Sequence, residues 1–375
     1  MKSCPLFFIE RENNKKIRFL ISENIGNFLG RIRKIDSLII LSYSTHRPEI
    51  ISIIRNVLPE CDLIFLEEPF DSAFYRMLSG DVNVEDYISE RDFSFPDFQK
   101  EFYRLLKSIH DQDKEIVQID PYMSCLMEIH EVFAKGGTHR DFPTVNHHLV
   151  YSTEKTVSAN LVKYYSLVPK GNFNHLVRSI MDFARSDAMR IKLRDEMRAE
   201  AIVKFIVKAL PAFKQRRIYI EAGYIHQPLF RLLSSKLDGF KIVPYFPVSP
   251  IVRFYMRKKH VFSPGDILTL RYLFNRHKTE HYSDDNILLA ARSLIYTKII
   301  RKDEIIPSRD LPYPHTLDEI ECHGIVSRLS VADCREVFGR IRYMATEEAR
   351  REVLNYISTR HGDSCISGKL DNEYS

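Results

Sequence analysis

Two stretches of the chain decide how it folds: Ile39-Ile-Leu-Ser-Tyr-Ser-Thr-His-Arg-Pro48 and Tyr219-Ile-Glu-Ala-Gly-Tyr-Ile-His-Gln-Pro228. Each runs from an apolar strand through a short turn to a histidine, any residue and a proline, and then into a helix. Pro48 and Pro228 suit the first turn of the following helix, where the missing N–H costs nothing. His46 and His226 therefore occupy equivalent places, between a strand's carboxyl end and a helix's amino end. The apolar run Ser37 to Leu41 reads as a strand buried on both faces, the signature of a parallel sheet covered by helices.

The same pattern extends outward. Asp62–Leu66, Glu115–Ile119, Arg216–Glu221 and Phe240–Phe246 read as further strands, and Pro48–Leu58, Phe95–Ile109 and Pro228–Leu237 as helices. Ile17–Ile21 reads as a short strand followed by a turn near Gly26 and Gly30. Strands alternating with helices predict an α/β fold with a mainly parallel sheet flanked by helices. The predicted divisions are a core over 1–248 with a helical insertion at about 153–210, a helical carboxyl-terminal region over 249–360, and a disordered tail over 361–375.

Composition narrows the class. Of 375 residues, 44% are hydrophobic and 28% charged, which is enough to bury a core. A formal charge of +5 is too mild to signal nucleic-acid binding, although Pro250–Lys302 carries 11 Lys/Arg against 4 Asp/Glu. That stretch reads as a solvated helical surface. The six cysteines are widely and irregularly spaced, without a CxxC, which favours a reduced cytoplasmic setting over a zinc ribbon or disulfide scaffold. The amino-terminal apolar run is too short for a signal peptide, and no run is long enough for a spanning helix.

Polar groups gather at the predicted strand ends. In open α/β sheets ligands bind beyond the carboxyl ends of the strands, where helix amino termini offer free N–H groups. Four strands here end in His46, Glu67 with Glu68, Asp120 and His226. Histidine near neutral pH serves as base, acid or metal ligand, and carboxylates orient or complement it. These residues are expected to converge on one cleft, and replacing either histidine is expected to change stability by only about 1 kcal/mol, as for a loop residue.

The set resembles a superfamily comprising TraB/PrgY proteins, TIKI proteases, ChaN-like haem-binding lipoproteins and erythromycin esterases, marked by two G-x-x-H motifs at strand ends. The second motif stands as Gly223-Tyr-Ile-His226; the first keeps its histidine but has Tyr43 in place of glycine. Glu67 and Glu68 match the acidic element, and Arg194-Asp-Glu-Met197 matches the R-[DN]-x-x-M stretch. The resemblance spans roughly 36 to 248 and implies hydrolysis of an ester, amide or peptide bond. It casts His46 as general base and Glu67 or Glu68 as its orienting or metal-binding partner. His226 becomes a second acid/base or ligand, and Arg194 a cation for developing negative charge. Asp120, Tyr43 and Gly223 become substrate contacts. His46, Glu67 and His226 form a donor set open to a divalent metal. A small molecule or peptide is the implied substrate. Capture of haem or another ligand without turnover, or a decayed interaction protein, remain open alternatives.

Other motifs are set aside. His277-Lys-Thr-Glu-His281 matches an inverted zincin pattern but has charged surroundings and reads as a helix end. His147-His148 reads as a loop surface. No G-x-S-x-G, P-loop or G-x-G-x-x-G occurs.

Overall fold

The structure is a computed structural model that describes residues 11–33, 35, 37–169, 171–208, 216–274 and 282–361. Five parallel strands, β1 (Leu38–Ser44), β2 (Leu63–Leu66), β3 (Glu115–Gln118), β4 (Arg217–Gly223) and β5 (Lys241–Tyr245), form one sheet in the order β3-β2-β4-β1-β5. Every residue of β1 and β2 is buried, as expected for strands covered on both faces. Pro244 is tolerated in β5 because that strand lies at the sheet edge and pairs only with β1.

The two central strands lead in opposite directions. From β1 the chain passes through α2 (Pro48–Ile54) to β2, across β4. From β4 it passes through α9 (Pro228–Ser234) to β5, across β1. Right-handed crossovers running in opposite directions place their helices on opposite faces of the sheet. Side-chain packing agrees: Ile50, Ile51, Ile53 and Ile54 of α2 join Leu38 and Ile40 in one core. Leu229 and Leu233 of α9 join Ile39, Leu41 and Tyr43 in the other. The carboxyl ends of β1 and β4 thus flank the point where strand order reverses, the usual place for a ligand.

The first face is completed by α1 (Arg11–Ile32), α3 (Ser72–Ser79), α4 (Val84–Ser89), α5 (Pro96–His110) and α10 (Ser249–Met256). The segment read as a strand at Ile17–Ile21 lies inside α1. Ile17, Ile21, Phe28 and Ile32 are buried at helical spacing, so the apolar stripe extends well past the five residues that suggested a strand. Gly26 and Gly30 fall within the same helix, where an added Cβ would meet nothing.

Between β3 and β4 stand α6 (Pro121–Ala134), α7 (Val145–Leu167) and α8 (Phe173–Lys208). The last turns of α8 cover the second face through Ala199, Ile202 and Ile206. Its first turns instead join a separate core built with α11 (Pro264–Phe274), α12 (Asp284–Ile299), α13 (Pro314–Ser327), α14 (Val331–Ile341) and α15 (Thr346–His361). Among the described residues after β5 there is no strand. Glu49 of α2, fully buried, caps the start of α13 by accepting from the His315 and Thr316 backbone N–H groups at 2.9 and 2.8 Å and from the Thr316 hydroxyl at 2.5 Å. The carboxyl-terminal helices are therefore anchored two residues from Arg47 and three from His46. No helix of the described residues is long and apolar enough to cross a membrane. His277–His281 and the tail from 362 lie outside the described residues.

Candidate functional site

Glu67, immediately past β2, is the hub. Its Oε1 lies 2.9 Å from His226 Nε2 and 3.0 Å from an Arg194 guanidinium nitrogen. Its Oε2 accepts from the Gly223 N–H at 2.5 Å and lies 3.6 Å from Arg198. Its own N–H donates to Glu221 at 3.2 Å. Burial works to raise the Glu67 carboxyl, but the charges of His226, Arg194 and Arg198 outweigh it and hold the group well below the usual carboxylate range.

His226 is held at both ring nitrogens. Nδ1 lies 2.5 Å from Asp195 of α8, and Nε2 faces Glu67. Burial alone would lower its pKa; the two carboxylates reverse this and push it up to about 9. His226 is thus an imidazolium at neutral pH, closed off with only 4% of its side chain exposed. A ring with no free nitrogen is neither a general base nor a metal ligand as it stands.

His46 differs. Its Nε2 lies 3.3 Å from Glu221 Oε1, its ring tilts against Phe98 of α5, and it keeps 36% of its side chain accessible although protein surrounds it. Among the described residues it is one of three non-glycine residues with positive φ, at 49°, a conformation that costs an L residue about 1–2 kcal/mol. Burial depresses its pKa, but the Glu221 contact and the nearby Glu67 and Glu68 charges raise it overall. Glu68 accepts from Tyr103 at 2.9 Å and Gln118 at 2.8 Å. Burial and the Glu221 charge still push it up to about 7.

The remaining expected residues divide. Arg194 holds Asp120 Oδ2 through Nε at 2.8 Å and Nη2 at 2.5 Å, while Asp120 Oδ1 caps α6 by accepting from Met123 N–H. Asp120 has no exposed side chain, so the structure makes it a support for Arg194 and not a surface for substrate. Tyr43 points into the second core, stacked on Phe246 at 4.9 Å, with its hydroxyl 3.5 Å from the Gln227 carbonyl. Gly223 sits where an added Cβ would make ordinary contacts with His226 at 3.4 Å and Glu67 at 3.7 Å, so its N–H, not its missing side chain, is what the site uses.

His46, Glu67, Glu68, Arg194 and His226 are thus brought into one network at the carboxyl edge of the sheet, but not into one open cleft. His46 leans toward α5 and His226 toward α8, on opposite sides of the sheet, and Glu67 with Glu221 bridges the edge between them. The expected metal set fares worse: among the described residues no three His, Cys, Asp or Glu side chains are disposed to hold a metal ion, and Glu67 and His226 are spent on each other. His147 is a buried helical residue bonded to Thr144 at 2.7 Å and Glu128 at 2.8 Å, not a loop surface.

Glu221, Asp195 and Arg198 escaped the sequence reading. Glu221 is the one carboxylate in β4 and the one charge in its buried middle, which is itself a signal because a buried charge needs a purpose. Asp195 and Arg198 follow Arg194 by one and four residues on α8. Arg198, fully buried, donates to the carbonyls of Ile119 at 3.1 Å and Glu221 at 2.6 Å, tying the ends of β3 and β4 together.

Among known proteins, the chain is 27% identical over 298 residues to an uncharacterized protein of Archaeoglobus fulgidus, covering 80% of this chain and 97% of that one. No family model matches the chain. No solved structure matches it.

Proposed function

We propose that this chain is a hydrolase of an ester, amide or peptide bond, working through a His46–Glu221 dyad without a step at His226. The observation that carries this reading is the contrast at the sheet edge. His46 alone of the two histidines keeps a free nitrogen and access, next to a buried carboxylate that orients it.

With Nε2–H directed at Glu221, His46 Nδ1 is left to accept a proton. Water attacks the carbonyl carbon while its proton passes to His46. Glu68, near half-protonated at neutral pH, gives its proton to the leaving oxygen or nitrogen as that bond breaks. His46 then returns its proton to Glu68, and the site is restored. Arg194, expected from the resemblance to stabilise developing charge, is committed to Asp120 and Glu67; here it is a positioning residue.

The test is a panel of p-nitrophenyl esters, anilides and fluorogenic peptides offered to the full chain and to His46→Ala. Turnover that falls about a hundredfold or more in the variant supports the dyad. Turnover that survives His46→Ala refutes it.

A further inference from the structure

Two helices near His46 have no cap of their own, and each takes a carboxylate from a distant part of the chain. The first is α13, whose opening N–H groups are held by Glu49 of α2. The second is α5. It begins at Pro96, which has no N–H, behind Phe95, whose side chain cannot cap. The Gln99 N–H already reaches the Phe95 carbonyl, so the Asp97 and Phe98 N–H groups are left as orphan donors. Glu304, in the segment between α12 and α13, accepts from both, at 2.9 Å through Oε2 and at 2.7 Å through Oε1. A carboxylate on two N–H groups at a helix amino terminus makes charge-assisted bonds and matches the helix dipole.

The turn that Glu304 grips is the one that meets His46 and its neighbour. The Phe98 ring lies against the His46 ring with centroids 5.8 Å apart, and the Arg47 guanidinium lies 3.9 Å over the Phe95 ring. His46 is thus set between Glu221 on one side and Phe98 on the other. The contacts then close on themselves. The Ile305 N–H, next to Glu304, donates to His315 Nε2 at 2.9 Å, and the His315 N–H donates to Glu49, three residues from His46. Burial and the Arg47 charge push the His315 ring down to about 4, which keeps it a neutral acceptor.

We infer that Glu304 is a positioning residue for His46, acting through the first turn of α5 and the Phe98 ring. This deepens the hydrolase reading and rests on it for the use to which His46 is put, but not for where His46 is held. It gives the region after β5 a part in the site by way of one carboxylate.

Proton NMR of the His46 ring and hydrogen exchange of the α5 amides, both in the full chain, test this without turnover, so it and the hydrolase reading fail separately. Glu304→Ala is expected to speed exchange at Phe98 about tenfold or more, as at a helix end that has lost its cap. It is also expected to displace the His46 ring-proton resonances as the Phe98 ring shifts. Glu304→Gln keeps one acceptor and should displace them less. Arg104→Ala, farther along α5 where the side chain pairs with Glu85 and Glu101, should leave them in place. His46 resonances that stay fixed in Glu304→Ala, or that move as far in Arg104→Ala, overturn the inference. Unchanged exchange at Phe98 in Glu304→Ala overturns it as well.

Discussion

The carboxyl end of β1 and that of β4 begin from nearly the same sequence and end as opposites. Each presents a histidine ahead of a proline-led helix. At β4 the histidine turns toward α8 and is clamped by Asp195 and Glu67 until it is a buried cation. At β1 it turns toward α5, meets one carboxylate and stays accessible in a left-handed conformation. Sheet topology imposes the difference, because the crossovers from the two strands run in opposite directions and carry their helices to opposite faces. A repeated motif therefore supplies one buried, doubly clamped ring and one accessible ring.

The largest effect expected from this contrast is on stability. His226→Ala leaves Glu67 and Asp195 buried without their shared partner and should destabilise by about 3–5 kcal/mol, the usual cost of breaking a buried pair. His46→Gly removes an accessible ring and relieves a positive φ, so it should leave stability unchanged or raise it by about 1 kcal/mol, while lowering turnover as His46→Ala does. Urea unfolding of both variants checks this. Similar losses at the two positions would erase the distinction, and with it the correction to the loop-residue expectation for His226.

The pH dependence of folding sharpens the same comparison. His226 has a folded pKa of about 9 against an ordinary 6.5, so its contribution is complete below 6.5 and is lost as pH rises through 9, a change of about 3 kcal/mol. Denaturant midpoints measured from pH 6 to 10 should fall over that window, and the fall should flatten in His226→Gln. Glu68 works the other way: an acid raised to about 7 costs stability as pH climbs from 4.5 through 7. Glu68→Gln should therefore be more stable than the parent at pH 8, while losing turnover. A destabilised Glu68→Gln at that pH would contradict the placement of its proton.

A smaller effect is expected at Glu221. Glu221→Gln keeps the shape of the strand end but removes the charge that orients His46. Turnover should drop about tenfold or more, and the pH at which activity rises should move down because His46 loses its main counter-charge. An unchanged pH profile would show that Glu221 does not act through His46.

Much of this was legible in the sequence because parallel strands covered on both faces are continuous apolar runs. β1 and β2 are of this kind, and β2, β4 and β5 could be located to within a residue or two, while β1 runs three residues past the Leu41 at which its apolar run ends. The strand ends in turn gave His46, Glu67, Glu68, Asp120 and His226. Two kinds of information were not legible. A five-residue window cannot separate a strand from one turn of a longer helix, which is why Ile17–Ile21 misled. Nor does a strand-end position say which way the side chain turns. Burial of Tyr43, the double clamp on His226 and the Arg194–Asp120 pair all depend on where α8 lands, and Arg194 stands 74 residues from Asp120 in the chain. Glu221 could have been found, as the one carboxylate in its strand; Asp195 stood inside the R-[DN]-x-x-M match, but nothing in that match said that it would clamp His226.

The central claim is that His226 is a locked cation and His46 the working base, and nitrogen-15 NMR of the histidine rings measures it directly. At pH 7.5 His226 should show both ring nitrogens protonated, with titration only as pH nears 9. His46 should titrate separately and, when neutral, carry its proton on Nε2. A neutral, singly protonated His226 at pH 7.5 would contradict the account.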